Sequence, residues 1–532
     1  MNTFTINDLH KNAPKHILKL EVTSSTENIR SIFYKSEMAR RFSNVLTGHM
    51  KTRYEQMSRT KKYRKVKELY SKACDNKDKK TKQKLNAELN LLQKQYGLTW
   101  DQCRLLHKEL YPKYHLDSIF ALTIAENVWK GVETLLFGKA KKLGFKKRGD
   151  FPSLRAKQKD RCIVIKQDND TLYFEHDRKL FTILSTDDFQ NREISNIIYY
   201  LKNSTAINEQ ALSFYNLTGE TPADTFRPCY ASFVCKRIRG KDRLYVHITI
   251  EGYALPKLDQ EGNFKHKQGK GRVGCDVGTQ SVAFVSDTVS GLENLAERGS
   301  SIKKSERREW LIHRKLDRSR RATNPQNYNE DGTIRKGRKK WYRSRHYKKL
   351  LYKLREMKRK NSINRHLAIN EQVNKLRTLG NIVITESKNA SKLAKRAKKT
   401  TVNAKGKFNR KKRFGKSIKN RCPGYFQAQL ENKFDVYIEV PESYKASQYD
   451  HTADEYIKKK LSQRMYKLTN GTTVQRDWYS AFLMYCINDS YQDIDKQKVN
   501  KIFSKKLEEM NQLIEYIRRN HIKVMNSGIR LT

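Results

Sequence analysis

Apolar and polar residues alternate along His16-Ile17-Leu18-Lys19-Leu20-Glu21-Val22, the period of a strand with one buried face. From about Ser25 the apolar spacing changes to three and four, which predicts helices. Charged stretches such as Lys61 to Tyr70 and the amphipathic stretch Ser118 to Leu143 carry that pattern to about Gly144, and Phe151-Pro152-Ser153-Leu154 breaks it. Short apolar runs then recur between polar turns as far as about Leu255, as in Cys162-Ile163-Val164-Ile165 and Leu244-Tyr245-Val246-His247-Ile248-Thr249-Ile250. The pattern predicts a β-barrel over residues 1–25 and 146–268, split by a helical domain over 26–145.

A Lys- and Gly-rich linker, Lys265 to Arg272, precedes a new domain that opens on a strand. Between Ser301 and Leu379 the pattern is helical and very basic, broken only from Asn324-Pro325-Gln326-Asn327 to Gly337, so two long helices are expected. Lys392 to Arg421 is basic and poor in apolar residues, which predicts a loop that orders on a polyanion. Helical periodicity returns from Ile494 to Arg519. The fold class is α+β and multidomain, with an α/β domain at 269–440, an insert at 441–475 and a final helical part at 476–532.

Charge narrows the function. Lys and Arg number 111 against 56 Asp and Glu, a formal +55, so the protein repels itself unless a polyanion neutralises it, and nucleic acid is the obvious one. Aromatic residues make up 10% and hydrophobic residues 37%, too many for a disordered basic tail. No apolar stretch reaches the roughly 18 residues of a membrane span and the first twenty residues lack a signal-peptide core, so a cytoplasmic protein, nucleoid-associated when bound to DNA, is expected. The eight cysteines contain no C-x-x-C pair and read as free thiols. Cys229 and Cys235 with His247 form a minor metal-site candidate beside the ordinary core reading.

Three acidic residues carry the chemistry. Asp276 lies in Arg272-Val273-Gly274-Cys275-Asp276-Val277-Gly278, Glu386 ends Asn381-Ile382-Val383-Ile384-Thr385-Glu386, and Asp477 opens the helical stretch Asp477 to Met484. Taken singly each has an ordinary alternative: a strand-end turn, a helix start and an N-cap. Taken together, as strand, strand and helix in a strongly basic chain, they predict an RNase H type site. There, two Mg²⁺ ions about 4 Å apart activate water and stabilise the leaving oxygen of a phosphodiester. Hard oxygen ligands suit Mg²⁺, with Mn²⁺ as a substitute. Gly274 and Gly278 flank Asp276 with little bulk, which would let the backbone and a phosphate approach closely.

Those residues carry a resemblance that covers nearly the whole chain. Gly274-Cys275-Asp276-Val277-Gly278, Ile384-Thr385-Glu386-Ser387 and Val474-Gln475-Arg476-Asp477 resemble the three RuvC nuclease motifs of TnpB proteins of bacterial insertion sequences and of compact type V CRISPR effectors. Arg421-Cys422-Pro423-Gly424-Tyr425-Phe426 with Lys433 is similar to the family's segment ahead of its zinc ribbon. The resemblance implies a RuvC domain, a wedge barrel with a helical recognition insert, a guide RNA, and a target DNA duplex read beside a short flanking motif. It also implies a monomer or homodimer on one RNA, and a nuclease lid at Lys392 to Arg421, where a plain linker is the alternative. One departure stands out: residues 441–475 contain no cysteine, so no structural zinc is expected there.

Arg307, Arg308, Arg314, Arg318, Arg320 and Arg321 crowd one predicted helix with Trp310, and Arg338, Lys339, Lys340, Trp341, Arg343 and Arg345 follow. Arginine forks and aromatic faces suit a nucleic-acid backbone and its bases. Arg421 and Arg476 join this set. Three functions compete: an RNA-guided, Mg²⁺-dependent DNA endonuclease, a guide-dependent DNA-binding repressor without cleavage, and an RNase H-fold transposase. The first two predict copurifying RNA of defined length, whereas the third needs none.

Overall fold

In the computed structural model the described residues are 14–531, apart from 77, 139, 141, 220–225, 298–301, 388–389, 395–399, 404–405, 407, 409–414, 442 and 461. The protein is a mixed helix and sheet structure of two compact units, residues 1–257 and 258–532.

In the first unit, β1 (Lys15–Val22) is followed by α1 (Thr26–Arg59), α2 (Lys61–Asp75), α3 (Lys79–Gln95), α4 (Trp100–Leu110) and α5 (Ser118–Leu136). The chain then forms β2 (Leu154–Arg155), β3 (Val164–Asp168), β4 (Thr171–His176), β5 (Lys179–Leu184), α6 (Asp188–Thr218), β6 (Arg227–Ile238) and β7 (Lys241–Glu251). The strand order is β2-β6-β7-β1-β5-β4-β3, so β1 is an interior strand although its neighbours lie beyond the helical insert. Its alternation buries Leu18, Leu20 and Val22. Ser25 stops the strand and starts the helix, its hydroxyl accepting from Asn28 N–H (3.2 Å). Phe42, Leu46 and Met50 of α1 share a core with Phe120 and Ile124 of α5 and with Phe233 and Val246 of the sheet. Removing a ring such as that of Phe42 from such a core costs about 3–5 kcal/mol.

Two expectations change here. The sheet has two ends and curls into a half barrel without closing, because β2 is only two residues long and β3 is the opposite edge. The segment expected to be all short strands also contains α6, 31 residues long. Its Asn- and Ser-rich sequence and a break at Asn203 (φ −120°, ψ 18°) hide the helical period.

In the second unit, β8 (Arg272–Val277), β9 (Ser281–Ser286) and β10 (Ser290–Asn294) precede α7 (Ile302–Thr323) and α8 (Arg345–Arg377). Next come β11 (Ile382–Glu386), α9 (Pro423–Lys433) and β12 (Val436–Val440). Two short ribbons follow, β13 (Tyr449–Asp450) with β14 (Glu455–Tyr456) and β15 (Met465–Lys467) with β16 (Thr473–Gln475), and then α10 (Arg476–Tyr485) and α11 (Lys496–Arg519). The main sheet runs β10-β9-β8-β11-β12: β8, β9 and β10 form an antiparallel meander, while β8, β11 and β12 are parallel. Val273, Cys275 and Val277 face α8 and α9 on one side, and Ala283, Val285 and Ile384 face α10 and α11 on the other. Both strands are buried on both faces: β9 is apolar from Val282 to Val285, and β8 is buried from Val273 to Val277 although it carries Asp276.

Candidate active site and basic surface

Strand alternation sets where the first two carboxylates point. Gly274 and Ile384 are paired across β8 and β11, and Asp276 and Glu386 each lie two residues further on, hence side by side on the α10 face. Adjacent strands lie about 4.8 Å apart. Asp276 is 5% exposed, and Glu386, the last residue of β11, is half-buried. Gly274 is where α10 lies on the strand: a Cβ there would sit 2.1 Å from Ala481 O and 2.4 Å from Tyr485 N. The glycine therefore admits the helix backbone, the close backbone approach that was expected, and that helix takes the room expected for a phosphate. Gly278 is likewise closed in, its virtual Cβ 2.9 Å from Ser281 O.

Asp477 is the second residue of α10, one turn before Ala481, and is buried. It is not the cap: Gln475 Oε1 accepts from Trp478 N–H (2.6 Å) in that role. The Asp477 carboxylate accepts instead from Arg464 Nη1 (3.2 and 3.3 Å) and from Arg476 Nε and Nη2 (3.2 and 3.1 Å). Asp276, Glu386 and Asp477 thus belong to the same side of one sheet, yet they do not close into a mutual 4.8 Å cluster. Among the described residues the group of three that does so is Asp117, His176 and Asp177, in the first unit.

That tighter cluster already holds a cation. Lys35 Nζ donates to Asp117 Oδ2 (2.9 Å), Asp177 Oδ2 (2.5 Å) and His176 Nε2 (2.9 Å). His176 Nδ1–H donates to Cys162 O (2.6 Å), which leaves Nε2 as the acceptor, so the ring is neutral. Burial and the neighbouring ammonium both push the His176 pKa down. The group is a salt-bridged tie between α1 and the β4–β5 hairpin. The Cys229, Cys235 and His247 candidate does not assemble: the two cysteines lie six residues apart on β6, roughly 20 Å along a strand.

The cysteine-free insert is tied together by a carboxylate. Asp450, 1% exposed, accepts through Oδ1 from Thr452 N–H (3.0 Å) and Oγ1 (2.7 Å). Its Oδ2 accepts from Thr469 N–H (2.9 Å) and Oγ1 (3.0 Å), so one side chain joins the two ribbons. Burial works to raise its pKa, but the four hydrogen bonds outweigh it and hold the group below the usual carboxylate range. The ribbon that Asp450 braces ends at Arg464 and β15, so this small fold presents the guanidinium to Asp477. Neither Asp450 nor Arg464 stands out in the sequence, because each acquires its role only from the turn opposite.

No family model matches the chain, and no curated protein does. Among solved structures it is similar to a chain described as Cas12f1 in complex with sgRNA and target DNA. That match has 12% identity and a TM-score of 0.40, over 90% of this chain and 100% of that one. It is also similar to a chain of a Cas12i–crRNA complex, at 10% identity and a TM-score of 0.24 over 92% and 72%.

The basic residues form an exposed, aromatic-backed surface on α7 and the segment before α8. Arg307, Arg308, Arg314, Arg318, Arg321, Arg338, Lys340, Trp341, Arg343 and Arg345 are exposed, and Lys339 is half-buried. Arg314 lies 4.8 Å over Trp310, Arg321 4.8 Å over Tyr328, and Arg320 5.4 Å over Trp341. The apparent turn between the helices is pinned: Asn324 pairs with the Tyr342 backbone (2.9 and 2.7 Å), and Asn327 Nδ2 donates to Lys340 O (2.8 Å). Arg421 and Arg476 are half-buried and in ion pairs, with Glu297 (2.5 Å) and Asp477. Of the lid expected over Lys392 to Arg421, residues 395–399, 404–405, 407 and 409–414 lie outside the described residues, and Gly415–Arg421 is a short helix where a loop was expected. Among the described residues no helix is long and apolar enough to cross a membrane.

Proposed function

We propose that this protein is an RNA-guided DNA endonuclease whose RuvC-type site is built on Asp276, Glu386 and Asp477. The observation that carries the reading is the paired register of β8 and β11, which sets Asp276 beside Glu386 on the face where the helix bearing Asp477 crosses Gly274. The sheet order, with three antiparallel strands continued by two parallel ones, suits an RNase H type domain. The half-barrel split by helices suits a module that grips a guide and its target, and a +55 charge suits a long nucleic-acid partner held by its backbone.

The donor set fits Mg²⁺: three carboxylates, hard oxygen ligands, on one face. When bound, such ions lower the pKa of water and offset charge on the leaving oxygen. The chain's own residues do the rest. Arg464 and Arg476 pair with Asp477, and in this reading either guanidinium would exchange that carboxylate for a phosphate oxygen.

One observation favours a second reading, guide-dependent DNA binding without cleavage: Asp477 is engaged by two arginines. The test is to purify the protein from its native locus, sequence the RNA bound to it, and offer a matching duplex with Mg²⁺. Cutting that is lost in Asp276→Ala while DNA binding persists is expected. Undiminished cutting by the variant overturns the site, binding without cutting supports the repressor, and absence of defined RNA supports the transposase.

A further inference from the structure

Helices α7 and α8 pack through Leu316, Leu350 and Leu354, and near the start of α7 they part around a cavity of about 340 Å³. Its α8 wall is a single stripe. Lys353, Met357, Lys360, Asn361 and Asn364 recur at spacings of four, three, one and three, which keeps them on one helix face. Met357 is half-buried against the leucine seam and forms the floor, while Tyr352, 42% exposed, stands at the rim. Ser305 and Arg308 of α7 lie opposite, and Asn361 Nδ2 donates to Ser305 Oγ, which ties the two walls together.

The acids of this helix pair hold other cations. Glu309 pairs with Lys358 (3.2 Å), Asp317 with Arg320 and Arg321 (2.6 and 2.8 Å), and Glu356, at the cavity wall, with Arg359 (2.7 Å). Arg308, Lys353 and Lys360 have no acidic partner among the described residues. Lys353 and Lys360 lie two turns apart, roughly 10 Å along the axis, one on each side of Met357. Asn364 is exposed with its amide unbonded among the described residues. An inorganic anion has no use for the ring and the thioether, and an apolar ligand has none for the cations. A ligand with both phosphate and a flat aromatic face uses all of them.

We propose that this cleft holds one unstacked nucleotide of a single-stranded segment of nucleic acid. Its base would lie against Tyr352 and Met357 with its edge bonded to Asn361 and Asn364, and the flanking phosphates would meet Lys353 and Lys360, with Arg308 across from them. A base inside a duplex is covered on both faces by its neighbours, so the site selects single strands. The proposal rests on the nucleic-acid-binding part of the reading above, and its test needs neither the carboxylates nor cleavage.

The probe is a short dye-labelled oligonucleotide, made as RNA, as DNA and as a duplex, titrated with the full chain over a range of salt and followed by fluorescence anisotropy. Tyr352→Ala is expected to weaken single-strand binding at least about fivefold without moving the slope of log K against log salt, because the ring carries no charge. Lys353→Ala/Lys360→Ala is expected to lower that slope by about 1.4, for two single-strand phosphate contacts. The single strand that loses more in Tyr352→Ala identifies the source of the nucleotide, and duplex binding is expected to be indifferent to that change. On the unaltered protein, a single strand carrying 5-iodouracil is expected to crosslink under light to Tyr352, a result that does not depend on a variant folding. Unchanged single-strand affinity in Tyr352→Ala, an equal loss on duplex, or crosslinks confined to Trp310 and Trp341 overturns the pocket and leaves nucleic-acid binding in place. No saturable binding by the unaltered protein overturns both.

Discussion

His16 shows how single side chains set the chemistry. Its Nε2–H donates to the fully buried Glu193 (3.1 Å) and its Nδ1–H to Gly252 O (2.8 Å), and two acceptors require two protons. Burial opposes the charge, but these partners outweigh it and raise the His16 pKa above 6.5. Stability from the pair is therefore full below about pH 6.5 and lost as pH rises through the higher folded value. Thermal melts of the protein and His16→Gln are expected to differ most at pH 6 and to converge by pH 9; a constant gap would refute the charged pair. At the proposed active site, Arg464→Ala is expected to lower the Mg²⁺ needed for half-maximal cutting, because Asp477 loses a competitor. It should also slow cutting at saturating Mg²⁺ by about 10- to 100-fold, through loss of a phosphate donor. An unchanged rate would remove Arg464 from the site.

At the scale of elements, Asp450 does for two ribbons what a bound ion does elsewhere, and its bonds need the ionised form. Its stabilisation is present above the unfolded carboxylate pKa of about 3.9 and is lost as pH falls through the lower folded value. Asp450→Asn keeps the shape but pairs an amide N–H₂ with donors. Faster hydrogen exchange across 449–475 is expected, with the first unit unaffected, and unchanged exchange would mean the ribbons are held by other contacts. The elements legible in sequence were those with strong periods: β1, the paired basic helices, and the strand ends bearing Asp276 and Glu386. Helix α6 was not, because Asn203 interrupts it and polar residues blur its face. Arg464 and the true tenant of Gly274 were not either, since each depends on a partner 13 or more residues away: Asp477 for one, Ala481 for the other. Long-range partners leave no local pattern.

For the whole molecule, 111 cations against 56 anions make salt the main lever on nucleic-acid binding. Each phosphate contact contributes about 0.9 to the slope of log K against log salt. Replacing Arg338 or Lys340 by Ala is expected to lower that slope by about one without changing preference among sequences. A slope that does not move excludes that residue from the backbone contact. The interior position of β1 also constrains how the chain is made. Leu20 pairs with Val246, and Glu21 with Leu184. At about 5–20 residues per second a ribosome takes roughly 10–45 s to reach the later partner. Until β5 is made both edges of β1 are unmatched, and until β7 follows one still is, while the helices in between have their local contacts at once. The first strand of this sheet must therefore wait for its neighbours, and anything that holds or hides it during the interval controls how much of the protein reaches this fold.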